Sequence, residues 1–98
     1  MPKPVSDLNV EDFEPHRGQS FRITANGQAL DLKLSEVQRL GTALRAGGAF
    51  SLMFLAAAGP SLPQAIYAID HPALGTLELF VVPLGPKDGS NRYEVIFT

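Results

Sequence analysis

The sequence predicts a mainly β protein: a small antiparallel six-stranded meander forming a barrel or sandwich, with one short N-terminal helix. Three observations carry this. Apolar and polar residues alternate in short runs along the 98 residues. Asn26-Gly27 and Asp88-Gly89 supply turn signals. Most connections between the runs are brief. A chain of this length buries roughly 60–68% of its unfolded surface, enough for one core and no second. Residues 1–8, with two prolines and little apolar content, are expected to be loosely ordered, and residues 9–98 to form a single domain.

The elements follow in order. Asn9 is a good N-cap, and Glu11 and Asp12 sit favourably in a first helical turn, with Phe13 as its buried residue. Pro15 disfavours helix at Glu14, so the helix is one or two turns. Residues 20–24, SFRIT, alternate, with Phe21 and Ile23 inward. The Asn-Gly pair turns the chain into a return strand, ALDLKL, with Leu30, Leu32 and Leu34 inward. Residues 35–46 can be read two ways. Ser35 and Gln38 match a capping box, with Val37, Leu40 and Leu44 at helical spacing, but Gly41, Thr42 and Gly47-Gly48 interrupt. The preferred reading is a strand continuing through a bulge near Ser35-Glu36, which restores Val37 to the inner face. Strands are then expected at 49–55, at 66–70, from Gly75 to Pro83 with Pro83 closing it, and from Arg92 to the end. Between the last two, LGPKDGSN reads as a loop.

Composition narrows the function. Eight Lys and Arg against ten Asp and Glu give a net charge of −2, without the basic stripe that nucleic acid or an anionic membrane would need. The acidic residues Asp7, Glu11, Asp12 and Glu14 crowd the start and read as a solvated segment. No cysteine is present, so disulfides, thiolate nucleophiles and Cys-based metal sites are excluded. MPKPVSDLNV holds no apolar signal-peptide core, and no apolar run approaches a membrane span, so a soluble cytoplasmic protein is expected.

Several strings taken together carry a resemblance: FSLMF, LPQAIYAIDHPALGTLELFVVPLGP and RYEVIF. They fit F-S-L-x-F, L-P-Q-x-x-Y, H-P-x-L-G, L-F-x-V-P and R-Y-E-x-x-F steps, and from about Phe13 to Phe97 the chain resembles a small bacterial domain family of unknown function. The resemblance brings no activity. It implies a loose association with components of phage-tail-like particles. The Ala56-Ala57-Ala58 tract and the 41–49 connection depart from the pattern at loops.

Candidate chemistry is sparse. Asp70-His71 could orient an imidazole for base work, but adjacent residues of a strand point to opposite faces. His71-Pro72 reads more simply as a turn whose imidazole bonds local backbone, and His16 sits in a similar setting. No ligand spacing joins His16, His71 and Asp70. Ser61 lacks the glycines of a nucleophile elbow, and Gly47-Gly48 is too short to cradle phosphate. Asp31, Glu78 and Glu94 are spread one per strand, as on an outer face. The expectation is a non-enzyme with no cofactor and no metal.

The strands at 50–55 and 77–83 are apolar on both faces. With one face in the core, the other collects Met53, Leu55, Phe80, Val82 and Ile96. Contiguous apolar patches of this kind mark interaction sites. The N-terminal helix, through Val10 and Phe13, and the 41–49 or 56–65 segments could cover part of it, with another protein covering the rest. The expected function is a non-enzymatic protein-interaction or structural module, self-associating as a homodimer. The alternatives are a barrel for a small apolar ligand, with Tyr67, Tyr93 and Phe54 at its mouth, and a hydrolase using His71, Asp70 and His16.

Overall fold

The computed structural model describes residues 8–25, 27–40, 49–57 and 62–97. A four-residue helix, α1 (Val10–Phe13), runs into a single 3-10 turn at Glu14–His16. Six strands follow: β1 (Ser20–Ala25), β2 (Gln28–Arg39), β3 (Phe50–Ala57), β4 (Ala65–His71), β5 (Gly75–Lys87) and β6 (Ser90–Phe97). They close into a barrel in the order β1-β2-β3-β6-β5-β4, with every neighbouring pair antiparallel. The expected fold class is therefore observed, as two three-stranded meanders joined along β3/β6 and β1/β4. The link from β3 to β4 joins strands on opposite sides of the ring.

Local chemistry explains the turns. Ala25 pairs with Gln28 around Gly27, whose φ of 76° suits a residue without a Cβ. Lys87 pairs with Ser90 across Asp88 and Gly89, at φ 54° and 81°, the signature of a two-residue hairpin turn with both φ values positive. In β2 the register slips between Leu34 and Glu36, the bulge expected there, and the strand continues to Arg39. The helical alternative fails over 35–39, because those residues carry the β3 ladder; residues 41–48 lie outside the described residues.

Several boundaries differ from expectation, among them the start of β6 at Ser90 rather than Arg92. β5 does not stop at Pro83 but runs to Lys87, so most of the segment read as a loop is strand. Beyond Val81 the β5 backbone pairs with β6 alone, so a proline can turn its missing donor to the unpaired side without losing a ladder bond. Ala56 and Ala57, read as the start of a loop, extend β3 and pair with Asn91 and Ser90. Leu8, assigned to the loose N-terminal segment, is buried in the core; residues 1–7 lie outside the described residues.

The interior is packed with large side chains. Phe50 and Phe97, a cross-strand pair at one end of the β3/β6 ladder, stack with ring centroids 4.3 Å apart. Phe13 sits 5.8 and 5.7 Å from the same two rings. So α1, one of the possible covers for the outer apolar patch, does not place Val10 and Phe13 there. It plugs the barrel end, with Leu8, Val10 and Phe13 all buried. Each such side chain is worth about 1.5–3 kcal/mol on burial, more than an outer-face contact could return. Outside, Arg39 reaches Glu11 at 2.8 Å and ties α1 to the end of β2. At the other end, Leu62 is partly buried against the core and donates its N–H to the Tyr93 hydroxyl at 3.0 Å.

Candidate functional site

The ladders place every residue of the outer face. Ile66 on β4 pairs directly with Phe80 on β5. The β5–β6 ladder begins at Val82 and Glu94, and Phe80 and Ile96 each lie two residues beyond that pair on their own strand. Ile66, Phe80 and Ile96, on three successive strands of the ring, are 66%, 48% and 49% exposed, and we group them as an apolar stripe. Leu84, at the β5 bulge, is another exposed large apolar residue. Of the five residues proposed from sequence, Phe80 and Ile96 lie on this stripe, and Val82 is half-buried beside it.

Met53 and Leu55 behave differently. They share the outer face of β3, but Met53 is flanked across the ladders by Glu36 and Glu94, and Leu55 by Lys33 and Arg92. Long charged side chains can lay their aliphatic stems over such neighbours, and both residues are half-buried. They line a groove of about 270 Å³ rimmed by Glu36, Lys87, Asp88 and Arg92. Arg92 is itself engaged, donating from Nε to the Gly85 carbonyl at 3.2 Å and from an Nη to that of Leu84 at 3.3 Å. Two of the five proposed residues thus belong to a charged groove rather than to the apolar stripe. Ile66, the most exposed of the stripe, was not among the five. Its alternation with inward-facing Ile69 needs the strand's pairing to be read.

The histidines do meet. The His16 and His71 rings lie 4.4 Å apart, with His71 also 4.5 Å from Phe21. The Ala73 N–H donates to His71 Nδ1 at 3.0 Å, the local backbone bond expected of this turn. That leaves the neutral ring's proton on Nε2, which donates to Gln19 Oε1 at 2.8 Å. His16 Nδ1 lies 3.0 Å from the same oxygen. Burial, and secondarily the neighbouring His16, holds the His71 imidazole below its ordinary value. Gln19, which joins the two, carried no signal of its own in the sequence.

Asp70 lines the same groove as His71, but its carboxylate is engaged by Thr76 rather than by the imidazole. Asp70 faces outward in register with Arg22 and Thr76, and accepts the Thr76 hydroxyl at 2.5 Å. These residues, with Asp31, line a second groove of about 500 Å³. The His71-Asp70-His16 constellation of the hydrolase alternative is therefore not assembled. Among the described residues no three of His, Asp or Glu gather so as to hold a metal ion. The aromatic mouth of the ligand-barrel alternative is not formed either. Phe54 and Tyr93 are fully buried packing residues, and Tyr67 donates its hydroxyl to the Pro63 carbonyl at 2.6 Å.

Among the described residues no helix is long and apolar enough to cross a membrane. A family model described as Domain of unknown function (DUF6916) matches residues 8–97, from the buried Leu8 to the last residue of β6. No curated protein and no solved structure matches the chain.

Proposed function

The chain belongs to the DUF6916 family, a domain of unknown function, and from that premise we propose that it is a non-enzymatic interaction or structural module that packs against a second copy of itself through the Ile66–Phe80–Ile96 stripe. One observation carries the reading: Ile66 and Phe80 are exposed as a cross-strand pair, and Ile96, two residues beyond the last β5–β6 pair, is exposed on the next strand. Burying the exposed part of each would gain a share of the roughly 1.5–3 kcal/mol that full burial returns, and among the described residues these surfaces stand open. A closed sheet recruits partners by side-chain packing rather than by adding a strand, which favours a face-to-face contact. A two-fold pairing lays the stripe on itself and closes the assembly at two copies. Such a self-packing unit also suits an accessory part of a phage-tail-like assembly, the association implied by the family resemblance.

The test is sedimentation velocity over a range of protein concentration. The native chain is expected to sediment as a concentration-dependent dimer. Phe80→Glu should give a monomer at every concentration with an unchanged far-ultraviolet circular dichroism spectrum. A native chain that stays monomeric throughout, or a Phe80→Glu chain that still dimerises, overturns the proposal.

A further inference from the structure

We propose that His71, Gln19 and His16 form an acid-released latch that holds the segment from Leu8 to His16 in place over its end of the barrel. The segment ends at His16, whose ring lies against His71 at the tip of β4. A single side-chain oxygen, Gln19 Oε1, serves both imidazoles. The backbone of that glutamine is fixed separately, because its carbonyl accepts the Leu34 N–H at 3.1 Å. The latch thus joins the N-terminal plug to the β4–β5 hairpin through a point anchored on β2.

Protonation breaks this arrangement for a geometric reason. A second proton on His71 has to go to Nδ1, where the Ala73 N–H already points. Two donors would then face each other, so the imidazolium must leave the hairpin, and Gln19 and His16 lose their partner. A charge on His71 would also stand one ring-contact from His16.

Among the described residues the other surroundings supply no compensating charge. Phe21 and Gln19 are neutral, Asp70 is turned to Thr76 and Arg22 to Asp31 on the outer face, and Glu14 and Arg17 on the segment itself are exposed. Because the closed state holds His71 below its ordinary value of 6.5, its advantage is complete above that value. The advantage is lost as the pH falls through the closed-state value. At the surface tie Glu11–Arg39, the Arg39 hydrogen bond holds the Glu11 carboxyl below its ordinary 4.5.

Amide hydrogen exchange on the full chain tests this, with rates corrected for intrinsic exchange. Between about pH 7.5 and about pH 5.5, protection over residues 10–16 should fall severalfold while that of Leu52, Phe54 and Tyr93 holds. In His71→Gln, protection of the segment should be the same at both pH values. Protection independent of pH in the native chain, or pH dependence retained in His71→Gln, overturns the latch. Nuclear magnetic resonance of the native chain gives a second readout that needs no variant. The Ala73 amide shift should move with the same midpoint as the His71 ring, and a flat Ala73 amide overturns the proposal as well.

Discussion

Tyr93 shows how much one side chain can hold in a barrel this small. Its ring is wholly buried, and its hydroxyl accepts the backbone N–H of Leu62, the partly buried residue that approaches the core just before β4. Tyr93→Phe keeps the ring and leaves that N–H without its partner, at an expected cost of about 1–3 kcal/mol in urea unfolding. An unchanged unfolding midpoint would show that water replaces the hydroxyl freely. Phe13 carries a different load, since its ring completes the Phe50–Phe97 stack. Phe13→Ala should cost about 3–5 kcal/mol by the same measurement, because the cavity lies between two rings already fixed by the β3/β6 ladder. At this scale the sequence was partly legible. Phe13 could be marked as buried from its place before Pro15. The meeting of His16 and His71 could not be read, because it depends on Gln19, a neutral amide 52 residues from the histidine it bonds.

Among the elements, β5 teaches most. Read alone, Pro83 and Pro86 look like terminators, and the segment after Pro83 looks like a loop. Both prolines are in strand, opposite Tyr93 and Asn91, positions of the same parity on β6, because the slip between Pro83 and Gly85 absorbs one residue. The two rings therefore occupy equivalent ladder positions and leave their donorless nitrogens toward the side that β4 does not reach. What hid this from sequence was knowledge of which strand edges have neighbours. The hairpin at Gly27 and the bulge at Leu34/Glu36 needed no such knowledge, since Asn-Gly fixes a turn locally and Leu34 and Val37 show by their spacing that one residue is extra. The Asp88-Gly89 turn gives a clean test. Gly89 has φ 81° and open space where a Cβ would sit, so Gly89→Ala meets conformational strain and no clash. The expected loss is about 1–2 kcal/mol in urea unfolding, with the native spectrum retained. A neutral outcome would mean the turn relaxes to another type.

For the whole molecule, the outer face was legible where alternation sufficed and illegible where distant strands decide. Phe80 and Ile96 follow from the two-residue period of their own strands. The partial covering of Met53 and Leu55 depends on Glu36 and Lys33 from the adjoining β2 and on Arg92 and Glu94 from β6, which meets β3 only in the closed ring. The same ring has a kinetic consequence. Each meander can assemble from near neighbours, but the two ladders that shut the ring join Arg22 to Asp70 and Phe50 to Phe97. Much chain entropy is spent before those distant pairings give anything back. Refolding from urea should therefore relax in milliseconds to seconds, as in other proteins rich in non-local pairings, and microsecond relaxation would contradict it. Until the last seam zips, two half-shells stand apart with their greasy linings open, and the speed of that closure governs how long a newborn chain is vulnerable to clumping.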